Sequence, residues 1–338
     1  MKVVTLIKNG NADSAFEIRE ATKPQPKADE VLIKVAAFGL NFADVMARKG
    51  MYKDAPPLPA VLGYDVAGTV EAVGENVTNV KVADRVTAMT RFGGYAEYAI
   101  TNASAVAKIP DSIDNETATA LTTQYCTAYY AAAELINLNK GDKVLIQSGA
   151  GGVGTALIQF AKYKQCEIFS TAGSNEKLKY LTSIGVDHPI NYTTHDFEIE
   201  INKITNGKGV DVVFDAVGGK SVKKGFRSLG AGGRIVCYGA STMTDKNLFG
   251  KLSAAVSFGF YHPFMLLMPS KSILAVNMLR IADSKPEVLQ RCLEAVVALV
   301  EENIFNPTLG KTFSVAEIAA AHEYLEKRKS IGKVVVSW

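Results

Sequence analysis

Lys143-Val144-Leu145-Ile146-Gln147-Ser148-Gly149-Ala150-Gly151-Gly152-Val153-Gly154, continuing into Thr155–Lys164, decides the fold. The apolar run Lys143–Gln147 reads as a short buried strand. Val153, Leu157, Phe160 and Ala161 recur at helical spacing and predict a helix over Val153–Lys164. Between them Gly149, Gly151 and Gly154 satisfy G-x-G-x-x-G. A strand entering a helix through such a loop needs glycine for the tight turn, for close approach of backbone to a pyrophosphate, and for helix–strand packing. The N–H groups at the helix start are then free to hold an anion.

The same alternation continues outward from the loop. Glu167–Thr171, Val210–Phe214 and Arg234–Tyr238 read as further strands, and Asn175–Ile184 as a second helix, so a parallel sheet of βαβ units is expected. Pro286–Asn303 predicts a long amphipathic helix with proline near its first turn. The first 120 residues have another texture. Glu30–Phe38, Val66–Val73 and Tyr95–Thr101 are β-rich pieces separated by Gly, Asn and Pro, whereas Glu116–Leu138 reads as helix. Val334–Val336 predicts a closing strand that returns to the first domain. The expected division is a β-rich domain over 1–122 and 304–338, and an α/β, doubly wound parallel-sheet domain over 123–303.

Composition narrows the function classes. The chain has 338 residues, 48% of them hydrophobic and 21% charged, with a formal net charge of +3. That profile describes a globular protein without the basic stripe of a nucleic-acid binder. Met1–Lys8 carries too short an apolar run for a signal peptide, and Cys126, Cys166, Cys237 and Cys292 are scattered, so a cytoplasmic setting with free thiols is expected. Leu252–Ser270 holds no formal charge, but serine, glycine and proline interrupt it. It reads as a buried or pocket-lining segment, with a dimer face or a membrane contact as the other readings.

The nucleotide is read at the tip of the second strand. An NAD site usually places Asp or Glu there for the ribose 2′-hydroxyl. Here the chain runs Thr171-Ala172-Gly173-Ser174-Asn175-Glu176-Lys177. Ser174 can donate to a 2′-phosphate, Lys177 can neutralise it, and Tyr192 can close the adenosine pocket, which favours NADPH. His188, His195, His262 and His322 make no metal-like spacing with a cysteine, so no metal site is expected. Neither a G-x-S-x-G elbow nor a P-loop is present. Hydride transfer remains.

Gly39-Leu40-Asn41-Phe42-Ala43-Asp44, Gly63-Tyr64-Asp65-Val66-Ala67-Gly68, Ala83-Asp84-Arg85-Val86, the Gly149–Gly154 loop and Ser330-Ile331-Gly332-Lys333-Val334-Val335 together resemble the zinc-free quinone oxidoreductase branch of the medium-chain dehydrogenase/reductase superfamily. Asn41–Tyr52 is similar to the subgroup of synaptic vesicle amine-transport protein homologues. Ala83 stands where the family usually has glycine. The resemblance implies a GroES-like catalytic domain, a Rossmann cofactor domain, a cleft between them and a homodimer. It implies that the metal ligands of zinc relatives fall at Asn41, Tyr64 and Thr123, none of them a good zinc ligand. It implies Asn41 and Tyr52 beside a substrate carbonyl, Thr127 at the nicotinamide amide and Tyr130 beside the cofactor. Gly152 and Val153 would meet its phosphates, and Gly173 with Ser174, Lys177 and Tyr192 the 2′-phosphate. Val217, Gly239 and Ala240 would line the ribose and nicotinamide. For Asn41 the competing reading is a helix cap, and for Tyr52 simple packing of a proline-rich loop. The expected activity is NADPH-dependent reduction of a small, apolar, electron-poor quinone or α,β-unsaturated carbonyl. An NADPH-binding membrane-associated or structural protein with little turnover, and an enoyl-thioester reductase, are the alternatives.

Overall fold

Glu30–Leu40 is an eleven-residue strand with both faces largely buried, as its run of Val, Leu, Ile, Ala and Phe demands, and the front sheet is laid down on either side of it. The computed structural model describes residues 1–241 and 257–338, so Leu252–Val256 of the uncharged stretch lies outside the described residues. In chain order the strands are β1 (Lys2–Leu6), β2 (Phe16–Glu20), β3 (Glu30–Leu40), β4 (Ala60–Val61), β5 (Asp65–Val73), β6 (Arg85–Met89), β7 (Tyr98–Asn102) and β8 (Val106–Lys108). They continue with β9 (Lys143–Ile146), β10 (Glu167–Ala172), β11 (His188–Asn191), β12 (Val210–Asp215), β13 (Leu229–Cys237), β14 (Ser272–Ala275), β15 (Leu309–Ser314) and β16 (Lys333–Ser337).

Two compact units result: Met1–Cys126 with Met278–Trp338, and Thr127–Asn277. In the first, a seven-stranded sheet runs β15-β16-β3-β5-β6-β8, with β7 also paired to β3. The closing strand β16 lies antiparallel to β3, opposing Val334 to Leu40 and Val336 to Phe38. Val31, Ile33, Phe38, Leu40, Val66, Val86, Tyr95, Val334 and Val336 are core residues of this unit.

The long amphipathic helix Pro286–Glu301 belongs to this unit, where the sequence reading had grouped it with the parallel sheet. Its buried face, Leu289, Cys292, Leu293, Val296 and Val300, covers β8 and the turns at Ala103–Ala105 and Leu121–Tyr125. An apolar stripe says that a helix has a partner and not which one.

The second unit is a six-stranded sheet in the order β11-β10-β9-β12-β13-β14, every pair of it parallel. That is the doubly wound arrangement, with its topological switch point between β9 and β12. The described part of the uncharged stretch is not buried as expected, although Pro263, Phe264, Leu266 and Leu267 line an open cavity with Gly232 and Arg234. Of its described residues, Phe258 packs against the core of this unit, but Phe260 is 92% exposed and Phe264, Met265, Leu267 and Met268 are exposed as well. The segment leads to the end strand β14, where little of it reaches the core. No described helix is long and apolar enough to cross a membrane.

Candidate active site

In the second unit the glycine loop joins β9 to helix α1 (Gly152–Tyr163), with Gly151 as the N-cap residue. Gly151 N–H donates to the Ser148 carbonyl (2.9 Å) and Gly149 N–H to the Thr171 carbonyl (3.1 Å). The glycines are not equivalent. A Cβ on Gly154 would lie 2.6 Å from the Ser148 carbonyl oxygen and 2.7 Å from the Gly149 Cα, whereas one on Gly151 would meet only the Ser148 oxygen, at 3.3 Å. Gly154 therefore lets the loop fold on itself, and Gly151 leaves the surface above it open. Gly152, Val153 and Gly154 start α1 and, by helix geometry, lack an intrahelical acceptor for their N–H groups. Their partial positive charge suits a pyrophosphate.

The tip of β10 supplies the neighbouring group. Ser174 caps helix α2 (Asn175–Ser183), its hydroxyl accepting from Lys177 N–H at 3.3 Å. That leaves the Ser174 O–H free to turn outward. A Cβ on Gly173 would run into the Tyr192 hydroxyl, so the glycine makes room for that ring, itself 45% exposed. Gly173, Ser174, Lys177 and Tyr192 thus come together at one sheet end with no carboxylate at the strand tip.

A third cluster forms at the carboxyl ends of β12 and β13. Asp215, fully buried, accepts from the N–H groups of Val217 (2.9 Å) and Gly218 (2.6 Å) and from the Ser221 hydroxyl (2.5 Å). A Cβ on Gly239 would meet the Ala216 oxygen at 2.6 Å, and one on Gly218 would meet the Ala240 Cα at 3.1 Å. Val217, Gly239 and Ala240 are therefore held side by side. Thr127 is buried and Tyr130 half-buried on the helical run at the start of this unit.

The first unit carries Asn41 and Tyr52. Asn41 is the N-cap residue of helix α3 (Phe42–Arg48), and its N–H donates to Asp44 Oδ2 at 2.8 Å. Its side chain is committed at both ends. Nδ2 donates to Asp65 Oδ2 (2.6 Å), and Oδ1 accepts from Lys333 Nζ (3.0 Å). Asp65 and Lys333 are a fully buried ion pair, and the other Asp65 oxygen accepts from Thr122 Oγ1 (2.6 Å), Thr123 N–H (3.0 Å) and Thr123 Oγ1. Of the three positions where the resemblance implies the ligands of zinc relatives, Asn41 and Thr123 thus bond to one carboxylate. Tyr64 instead meets Tyr52 edge-on, ring centroids 6.3 Å apart, and Phe92 at 5.0 Å. Burial raises the pKa of both phenols, so each keeps its proton at neutral pH. Among the described residues no group of three His, Cys, Asp or Glu side chains is placed to hold a metal ion.

Comparison with known proteins agrees with this architecture. Residues 27–111 match the alcohol dehydrogenase GroES-like domain, and residues 184–336 match the zinc-binding dehydrogenase family. The human quinone oxidoreductase is 31% identical over 324 residues, covering 96% of this chain and 93% of that protein. The chain belongs to the zinc-free quinone oxidoreductase branch of the medium-chain dehydrogenase/reductase superfamily. The zebrafish synaptic vesicle membrane protein VAT-1 homolog, in the same branch, is 33% identical over 319 residues, 93% of this chain but 65% of that protein's length. Among solved structures, the Escherichia coli quinone oxidoreductase complexed with NADPH superposes with a TM-score of 0.87 at 25% identity, covering both chains fully.

Sequence reasoning missed a second buried cluster behind this branch's Asn41 motif. Asp44 is fully buried, and burial foremost, with the Asp65 charge adding to it, raises its pKa to about 7 against the pull of the Asn41 N–H. His322 is equally buried with Nε2 3.2 Å from the Tyr95 hydroxyl, and burial together with nearby Arg48 lowers its pKa to about 3. The two act on stability with opposite sign. The folded state keeps a proton on Asp44 that the unfolded chain releases near pH 4, so this group's contribution falls as pH rises from about 4 to 7. The unfolded chain protonates His322 below about pH 6.5 and the folded state does not, so that contribution falls as pH drops from about 6.5 to 3. Between pH 4.5 and 6.5 the slopes oppose each other. Relative to the parent, His322→Gln is expected to lose stability with rising pH, and Asp44→Asn to gain it, each by up to about 1.4 kcal/mol per pH unit. Urea unfolding at three pH values measures both, and parallel slopes in the two variants would refute the assignment.

Proposed function

We propose that this protein is an NADPH-dependent reductase that delivers hydride to a quinone or an α,β-unsaturated carbonyl without a metal. The observation that carries the reading is the tip of β10, where Gly173, Ser174, Lys177 and Tyr192 converge and no carboxylate stands in the way of a 2′-phosphate. Family membership supports it, as does the NADPH carried by the Escherichia coli structure.

The residues fit that cofactor. N–H groups at the start of α1 would hold the pyrophosphate, Ser174 and Lys177 the 2′-phosphate, and Val217, Gly239 and Ala240 would form a smooth small-residue wall for the ribose and nicotinamide. NADPH, when bound, supplies the hydride. Asn41 gives one Nδ2 hydrogen to Asp65 and accepts from Lys333 at Oδ1, which fixes the amide and leaves its second Nδ2 hydrogen as a subsidiary donor toward substrate. Tyr52 takes the polarising role. Its half-buried phenol retains its proton and can donate a hydrogen bond to the developing oxyanion, and water completes the protonation.

Purified protein should oxidise NADPH with ortho- or para-quinones or an enone, and prefer NADPH to NADH. Ser174→Ala/Lys177→Ala should cut that preference by about 10- to 100-fold, since a charged hydrogen bond contributes about 1.5–3 kcal/mol. Equal use of NADH by the parent would overturn the cofactor reading. Tight NADPH binding without turnover on quinones, enones, an enoyl-CoA and an aldehyde would replace the reductase with a binding protein.

A further inference from the structure

The family markers of the first unit converge on one point inside it. Lys333, at the start of β16, runs past Gly39 of β3, where a Cβ would clash with the lysine Cε. Its ammonium ends between Asn41 and Asp65, with no exposure to solvent. A buried ion pair is an expensive way to fill a core, because apolar residues of equal volume usually serve stability as well or better. Its hydrogen bonds show where the specificity goes. Three of the donors to Asp65 come from Thr122 and Thr123, two adjacent residues on one segment.

That segment is the helical run from Asn115 to Leu135, and the division between the two units falls within it, after Cys126. Leu121–Tyr125 is a widened π-helical turn, as is Tyr130–Leu135. Such turns have poor intrinsic stability, persist where outside contacts hold them, and are frequent at functional sites. Thr122 and Thr123 sit in the first of them, so the carboxylate grips the run where it is intrinsically weakest. Four residues beyond Thr123 comes Thr127, and seven beyond it comes Tyr130.

We propose that Lys333 and Asp65 are positioning residues that clamp Thr122 and Thr123, and thereby fix the helical run carrying Thr127 and Tyr130 beside the nicotinamide. The inference rests on the NADPH reading for the last step and on hydrogen bonds within the first unit for the clamp. Lys333 supplies the buried partner that holds the Asp65 carboxylate in place. Asp65 converts that fixed charge into three bonds on one turn.

Thr122→Val/Thr123→Val tests the clamp while leaving the ion pair in place. Amide hydrogen exchange in residues 127–135 should accelerate at least tenfold, with the Gly152–Tyr163 helix unchanged. The fluorescence emission of bound NADPH should change at least twofold, and kcat should fall at least tenfold with KM for NADPH within threefold of the parent. A purely structural pair would lower the unfolding temperature and leave exchange at 127–135 and NADPH emission untouched. Either of those two remaining at parental values in the folded variant overturns the proposal. Should the double variant fail to fold, Thr123→Val alone, at a half-buried position, replaces it with the same criteria. A parent protein that binds NADPH but reduces no acceptor would sink the reductase reading alone, because exchange and emission would still decide the clamp. A parent that binds no NADPH would sink both.

Discussion

Gly154→Ala is expected to abolish NADPH binding, by at least about 100-fold, equivalent to about 2.7 kcal/mol, and to destabilise the protein as well. The new methyl group would press on the Ser148 carbonyl, the Gly149 Cα and the Gly149 carbonyl carbon, all within 2.9 Å and all backbone. A side chain in the way could rotate aside, but backbone can yield only if the loop opens. Overpacking of this kind costs about 1–3 kcal/mol and displaces the N–H groups that would face the pyrophosphate. Gly151→Ala is the informative control. Its φ of −78° suits alanine, and its Cβ would meet one atom at 3.3 Å. Stability should stay within about 0.5 kcal/mol of the parent while the methyl group intrudes where the cofactor must come close. Calorimetric titration with NADPH and thermal unfolding of both variants separate the two roles. Parent-like binding by Gly154→Ala would mean that the cofactor does not sit on this loop.

The contrast between these glycines shows what was legible in the sequence. Strand, loop and helix over Lys143–Lys164 have a local cause for every step, so the fold and the shape of the glycine loop follow from spacing. The tip of β10 was readable for the same reason, since Gly173–Lys177 directly follows a strand whose order in the sheet is fixed by the βαβ rule. Long-range pairings were not readable. Lys333 opens an apolar strand in sequence, and nothing local says that its side chain threads past Gly39 to meet Asp65. A signal was present: Asp65 and Lys333 each start a strand whose next three residues are apolar and buried, and two opposite charges at the mouths of such strands are better paired than apart. Ser257–Ser270, the described part of the uncharged stretch, was legible only in part. Lack of charge predicts a buried or pocket-lining segment; among its described residues Phe264 and Leu267 line an open cavity with Gly232 and Arg234, but they and Phe260 are exposed, because composition constrains what can be buried without requiring it. For Asn41, the sequence offered both a cap and a substrate contact. Asn41 occupies the N-cap position of α3, and its side chain also bonds both members of the ion pair.

That ion pair gives the largest expected effect on stability. Lys333→Met should cost about 3–5 kcal/mol, because it strands the Asp65 carboxylate in a site with no access to water. The donors that remain, from Asn41, Thr122 and Thr123, soften the loss without supplying a counter-charge. Asp65→Asn should be similarly harmful, leaving a buried ammonium facing amide oxygens. The double variant Lys333→Met/Asp65→Asn leaves no charge at this site and should cost clearly less than the sum of its parts, with a coupling of about 2 kcal/mol or more. Trp338, the single tryptophan, lies directly after β16 with its ring 6.3 Å from Phe38, so its fluorescence follows unfolding of the first unit alone. That matters in a chain of two units, where a global transition would mix their stabilities. Raising the salt concentration should rescue neither single variant, since ions screen only charges they can approach. Additive losses in the three proteins would show that Lys333 and Asp65 act independently, and the clamp on Thr122 and Thr123 would then have to be Asp65's own.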